Sequence, residues 1–230
     1  MGNEAEFLSA HNVLAPTSPA PSASRAREEK VLAAMAALCA ERSYAATTIG
    51  EVAKRAGVST RTFYKLFPEG KQQCFEAAGV AFVAELEQSV AAARQDTGTW
   101  PDEVRAGIAA ILEVAARKPD FARLAFVEAG AVDPALFERH RPALAEALAP
   151  QPLPDGERAD NPLAIGALGR AQVLIIERIT AGRTAELPQL LPDVLFIALL
   201  PFLGQEEALK AARSARATMA DGVGATGSAK

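Results

Sequence analysis

One twenty-residue stretch, Thr48 to Phe67, limits the fold more than any other part of the chain. Thr48 stands three residues before Glu51, a spacing that lets each side chain cap the other's backbone N–H and so starts a helix. Gly57 then ends that helix, because glycine enters the left-handed conformation at little cost. Ser59 can cap a second helix, and Pro68 with Gly70 stops it soon after. Two short helices joined by Ala56-Gly57-Val58-Ser59 make a helix-turn-helix, whose second helix enters the DNA major groove while the first crosses the backbone. The same punctuation also suits two packed helices of an ordinary α-bundle, so the side chains have to separate the readings.

On the second helix Arg61 and Lys65 share a face at i, i+4 spacing, with Thr60 and Tyr64 beside them. Phe63 and Phe67 take the opposite face and are expected to pack on Val52 and the first helix. A forked guanidinium suits Arg61 to guanine O6 and N7, while Tyr64 and Lys65 suit backbone phosphates. Thr48 and Ser59 sit at helix starts, where hydroxyls and free N–H groups favour phosphate. Charge agrees with this. From Arg25 to Lys71 there are nine Lys/Arg and five Asp/Glu, a balance of +4, whereas the whole chain carries −4. The remainder is therefore −8, and a basic module on an acidic body fits local nucleic-acid contact rather than general binding of polyanions. Arg25 and Arg27 are expected at a solvated helix start, with a minor-groove arm as the other reading.

Between the two ends almost every segment has helical period. Val31, Leu32, Met35 and Leu38 mark a first helix, and a long one fits Gln72 to Arg94. Further helices fit about 101–117, 120–130, 134–148, 162–181 and 188–203. No alternating strand pattern with hairpin turns is found, so the predicted fold class is all-α. Residues 1–24, ending in LAPTSPAPSAS, and residues 206–230 are expected as disordered tails. Between them, 25–72 and 73–205 are expected as two units. Cys39 and Cys74 read as buried free thiols in a reducing compartment. No unbroken run of about 18 apolar residues occurs, and no basic region precedes an apolar one, so neither a spanning helix nor a secretory leader is expected and the chain reads as cytoplasmic. The two histidines, His11 and His140, form no zinc spacing with the cysteines. No nucleophile elbow, phosphate-binding glycine loop or HExxH motif is present, and no enzyme, metal or cofactor is expected.

Several short blocks carry a family likeness: the Ala-rich first helix, Tyr44-Ala45-Ala46-Thr47-Thr48-Ile49, Glu51-Val52-Ala53, Ala56-Gly57-Val58-Ser59, and Thr62-Phe63-Tyr64 with Phe67. Through them Arg25 to Ala77, about a quarter of the chain, resembles the DNA-binding domain of TetR/AcrR-type transcriptional repressors. The resemblance implies a three-helix DNA-binding domain followed by a larger helical ligand-binding and dimerisation domain. It implies a homodimer on a palindromic double-stranded operator, released by a small, mostly apolar effector. By position, Thr48 touches phosphate, Ser59 and Thr60 meet the backbone, Thr62 and Tyr64 reach phosphate and base edges, and Lys65 is a variable DNA contact. Lys71, opening the fourth helix, takes a further phosphate. The chain departs from the pattern at three places: Arg61 where many members have glycine, Leu66 in place of a tyrosine or histidine, and Lys71 one residue farther from Phe67 than usual.

In the body the resemblance implies that helices near 162–181 and 188–203 pair with their copies. Ala167, Gly169 and Ala171 would allow close approach there. Val173, Leu174, Ile175, Ile176, Ile179, Leu195, Phe196, Leu199, Leu200 and Phe202 would supply apolar area. Candidates for a pocket wall are Phe82, Trp100, Leu112, Phe121, Phe126, Phe137 and Gln172, with Arg123, Glu128 and His140 as further polar candidates; each also suits a plain core. Two other readings stay open: a regulator of this fold that works without ligand through protein partners, and a small-molecule carrier with a vestigial DNA module.

Overall fold

Helix ends follow the local signals. The computed structural model describes residues 23–95, 97–132 and 162–226. Helix α1 spans Ala23–Arg42, α2 Ile49–Ala56, α3 Thr60–Leu66, α4 Lys71–Ala93 and α5 Trp100–Arg117. Helix α6 is continuous but mixed: α-helical over Pro119–Arg123, π-helical over Leu124–Glu128 and α-helical again over Ala129–Val132. Helix α7 is Pro162–Thr180, a 3-10 segment covers Thr184–Leu190, and α8 is Leu191–Thr226. No strand occurs among the described residues, so the chain is all-α as expected. Thr99 caps α5 by accepting from the Asp102 N–H, with Pro101 in the first turn. The helix expected at 134–148 lies outside the described residues, as do Phe137 and His140.

Two clusters of buried side chains hold the chain together. One gathers Val31, Met35 and Leu38 of α1, Val52 of α2, Phe63 of α3 and Phe67 around Cys74 and Phe75 of α4. The other gathers Phe82, Leu86 and Val90 of α4 with Ile108 and Leu112 of α5, Ile175 and Ile179 of α7, and Leu195 and Leu199 of α8. Helix α4 thus runs through both, and Phe121 of α6 packs against each. The first cluster reaches past residue 72, because Phe75 and Ala78 of α4 and Leu124 and Ala129 of α6 belong to it.

The carboxyl end differs from expectation. Residues 206–226 are helical, not a tail. At Gly204 (φ 74°, ψ 175°) the backbone leaves the helix, in a region essentially closed to other residues, and the second half of α8 turns back. Arg216 then reaches Asp193 at 3.1 Å, and Ala208 and Ala215 enter the core beside Leu199. Alanines at 208, 212 and 215 form a helical stripe whose small side chains give little hydrophobic signal. A second difference concerns membranes. The run Thr184–Ala220 is long and apolar enough to cross one by length and composition, with mean hydropathy 1.7. Its Leu187, Leu190, Val194, Leu195 and Leu199 are committed to the core, and the break at Gly204 interrupts it.

Cys39 and Cys74 are free and buried. Burial pushes the Cys39 thiol up to about 11 and the Cys74 thiol up to about 12. Both therefore stay protonated at neutral pH, where only the thiolate attacks. The native protein is expected to resist thiol reagents at pH 7.5 and to label two cysteines once denatured; fast labelling of the native protein would contradict the buried placement.

Candidate nucleic-acid interface

The helix-turn-helix forms as its sequence directs. Thr48 Oγ1 accepts from the Glu51 N–H at 3.4 Å, and Glu51 Oε2 accepts from the Thr48 N–H at 3.1 Å and its hydroxyl at 2.7 Å. These hydrogen bonds hold the Glu51 carboxyl below the usual carboxylate range. At the other end Gly57 is left-handed (φ 68°, ψ 33°), its N–H donates to Lys54 O, and Val58 N–H donates to Ala53 O. That paired closure leaves no slack between α2 and α3. Two exposed ion pairs fix α2 against α1: Arg42 with Glu51 at 2.6 Å, and a two-pronged Arg55 with Glu41 at 2.6 and 3.0 Å. Two of the basic residues counted in the sequence are thus engaged within the module.

Helix α3 is anchored on one side and open on the other. Ser59 Oγ caps it by accepting from the Thr62 N–H at 3.1 Å and lies 2.9 Å from the Thr62 hydroxyl. Phe63 is wholly buried, with Phe67 at 5.5 Å and Tyr64 at 5.8 Å between ring centroids. Ser59, Thr60, Arg61, Tyr64 and Lys65 are all exposed, and Thr62 is half-buried. Tyr64 is 48% exposed, a large aromatic turned to solvent from a helix whose neighbouring ring is fully packed. Among the described residues neither Arg61 nor Lys65 has an ion-pair or hydrogen-bond partner. The structure therefore brings the α3 candidates to one surface, with Thr48 exposed at the start of α2.

Lys71 does not join them. Its ammonium donates to Tyr44 O and Thr47 O, both at 3.0 Å, and stands 4.1 Å over the Tyr44 ring. The phosphate role expected for it is replaced by a structural one: two of its three N–H donors hold the turn between α1 and α2. The residue added between Phe67 and Lys71 lies in the Pro68-Glu69-Gly70 turn. Gly70 there has φ 87° and caps α4. The same turn contains Ser43 at φ 83°, the one positive-φ residue other than glycine among the described residues. From the body, Glu128 Oε2 accepts from the Tyr44 N–H at 3.0 Å. Reading the sequence placed Glu128 only among possible pocket walls. Its signal, an acidic residue inside the apolar run LAFVEAGA, was visible, but the partner lies 84 positions away.

The pocket candidates are mainly core. Phe82 and Leu112 are each 1% exposed, and Phe82 stacks on Phe121 with centroids 6.2 Å apart. Trp100, Phe121, Phe126 and Gln172 are half-buried, with Trp100 edge-on to Phe202 at 5.6 Å. Two cavities among the described residues lie elsewhere. One, about 510 Å³, is lined by Ser43, Tyr44, Ala45, Gln72, Glu128, Ala131 and Val132. The other, about 410 Å³, lies in the α8 hairpin beside Phe196, Leu209 and Arg213.

The family model for bacterial regulatory proteins of the tetR family matches residues 31–78. None of the curated proteins matches the chain. Among solved structures, the chain is similar to the fatty acid degradation regulator FadR of Bacillus halodurans: TM-score 0.64, 13% identity, 76% of this chain and 94% of that one. FadR of Bacillus subtilis, solved with stearoyl-CoA, gives TM-score 0.63 at 14% identity, over 76% and 98% of the two chains. A TetR transcriptional regulator of Rhodococcus sp. RHA1 gives 0.53 at 22% identity, over 78% and 97%. At these identities the structures speak for the fold. The matched residues 31–78 hold the capping box, the glycine corner and the open face of α3, and with them the chain belongs to the TetR family of bacterial regulatory proteins.

Proposed function

We propose that the chain is a ligand-responsive transcriptional repressor that binds a palindromic operator as a homodimer. The observation that carries this reading is the face of α3. Thr60, Arg61, Tyr64 and Lys65 project from a helix fixed by Phe63, and the two cations have no partner among the described residues. Exposed, unpaired cations beside hydroxyls and an aromatic suit the major groove and its phosphates. Thr48 and Ser59 flank them; their hydroxyls serve as caps, and the first-turn amides of α2 and α3 remain for phosphate.

Self-association has support in α7 and α8. Gly166, Gly169 and Val173 lie on one stripe of α7; Val173 is 63% exposed and both glycines face open space. Leu200 of α8 is exposed as well. The area is smaller than the sequence suggests, because Ala171, Ile175, Ile179, Leu195 and Leu199 turn into the chain's own core. The stearoyl-CoA complex of a protein of the same fold supports an effector with a long apolar part.

Selection of duplexes from a random pool by the purified chain tests the reading, and failure to enrich any palindrome would end it. On the selected duplex, Arg61→Ala is expected to lose discrimination at particular base pairs, by about 1–3 kcal/mol for a forked guanine contact. Tyr64→Ala is expected to weaken all sequences alike and to flatten the salt dependence of binding. A uniform loss for Arg61→Ala would reassign that residue to phosphate. Adding stearoyl-CoA tests the effector class.

A further inference from the structure

Resting on that reading, we propose that Glu128, outside the helix-turn-helix, is a positioning residue for operator recognition: its carboxylate holds the turn between α1 and α2 from the π-helical segment of α6 and so ties the DNA-reading module to the body. The turn from Ser43 to Thr47 decides where α2 begins and hence where Thr48 and the α2–α3 pair point. It is held on two sides. Lys71 takes its carbonyls at Tyr44 and Thr47, and Glu128 takes the Tyr44 N–H. Inside the turn, the Thr47 hydroxyl donates to Ser43 O at 2.9 Å and Thr47 N–H donates to Tyr44 O at 3.1 Å. Lys71 belongs to the same amino-terminal cluster as the turn. Glu128 is the hold that arrives from the body.

The attachment point can change state. Residues Leu124–Glu128 form a π turn inside an α-helix, a geometry that carries one residue more than the helix needs. Arg123 Nε, buried and without an acceptor, stands 4.0 Å from Glu128 Oε1. A buried donor without an acceptor is costly. Turning the carboxylate toward Arg123 would satisfy that donor and release the Tyr44 amide. The same Glu128 lines the 510 Å³ cleft beside Tyr44, so neither arrangement is walled in. Two donors facing one carboxylate give the discrete pair of arrangements that coupling between sites requires.

The experiment uses the full chain and the duplex it selects. Glu128→Ala is expected to bind that duplex about tenfold more weakly, within the usual range of coupling between sites. Glu128→Gln, which keeps an oxygen acceptor for the Tyr44 N–H, is expected to recover most of the affinity. Hydrogen exchange supplies the readout that a packing role would not move. The Tyr44 amide is expected to exchange about tenfold faster in Glu128→Ala and close to the parental rate in Glu128→Gln, since a hydrogen bond to a charged group is lost in the first only. Coupling is reciprocal, so duplex binding should slow exchange across Leu124–Glu128 in the parent and not in Glu128→Ala. Unchanged Tyr44 exchange in Glu128→Ala would overturn the hold itself. Faster exchange with parental affinity would overturn its role in recognition. If the parent selects no duplex, the operator reading and the role in recognition fall together, and Tyr44 exchange still decides whether the hold exists.

Discussion

Replacing Phe63 by alanine is expected to destabilise the amino-terminal module by about 3–5 kcal/mol, the range for truncating a buried aromatic, and to abolish binding of the selected duplex. The ring has no exposed surface and lies among Val52, Phe67 and the α1 and α4 side chains. Helix α3 has only seven residues. A helix that short has no stability of its own in water and persists because its apolar face is packed. Arg61, Tyr64 and Lys65 keep their chemistry in the variant but lose the platform that sets their spacing. Phe63→Leu, which stays apolar and fills most of the volume, is expected to cost far less and to retain binding. Denaturant unfolding followed by circular dichroism, with fluorescence anisotropy on labelled duplex, measures both effects. An alanine variant that unfolds with the parent and still binds would mean that α3 is held by something other than this ring.

That prediction rests on a part of the molecule that was legible in the sequence. Thr48, Glu51, Gly57 and Ser59 act over three or four residues, and short-range signals of this kind survive without knowledge of the fold. All four do in the structure what their spacing implies. Lys71 was read wrongly because its position near the start of α4 was visible while its reach back to Tyr44 O and Thr47 O was not. The second half of α8 was missed because alanines at 208, 212 and 215 carry little hydropathy, although in the fold they are what lets the returning helix approach closely. In α7, periodicity identified the apolar residues but could not say which stripe faces inward. Ala171, Ile175 and Ile179 do, and Gly166, Gly169 and Val173 do not. The Glu128–Tyr44 bond joins residues 84 apart and has no local signature at all.

Phe82 separates a packed body from one with an open binding chamber at that position. The side chain is 1% exposed, stacked on Phe121 and edge-on to Phe126 at 6.3 Å. If these rings are packed core, Phe82→Ala leaves a cavity and is expected to cost about 3–5 kcal/mol. If they line a chamber that is already empty, few contacts are lost and the cost falls well below that range. Where the loss appears is equally informative. Helix α4 carries Phe75 into one cluster and Phe82 into the other, so a continuous rod joins two cores. We propose that they nevertheless unfold as separate units. Hydrogen exchange should then rise in α5 and α8 of Phe82→Ala while α2 and α3 stay near the parent. Combining Phe82→Ala with Phe63→Ala should give losses that add within about 0.5 kcal/mol, as for distant sites without shared partners. Any larger departure would mean that α4 and the Glu128 hold fuse the modules into one cooperative unit. Loosening the body would then loosen the DNA-reading helix as well, and an effector could act by changing the rigidity of the body without moving it as a block.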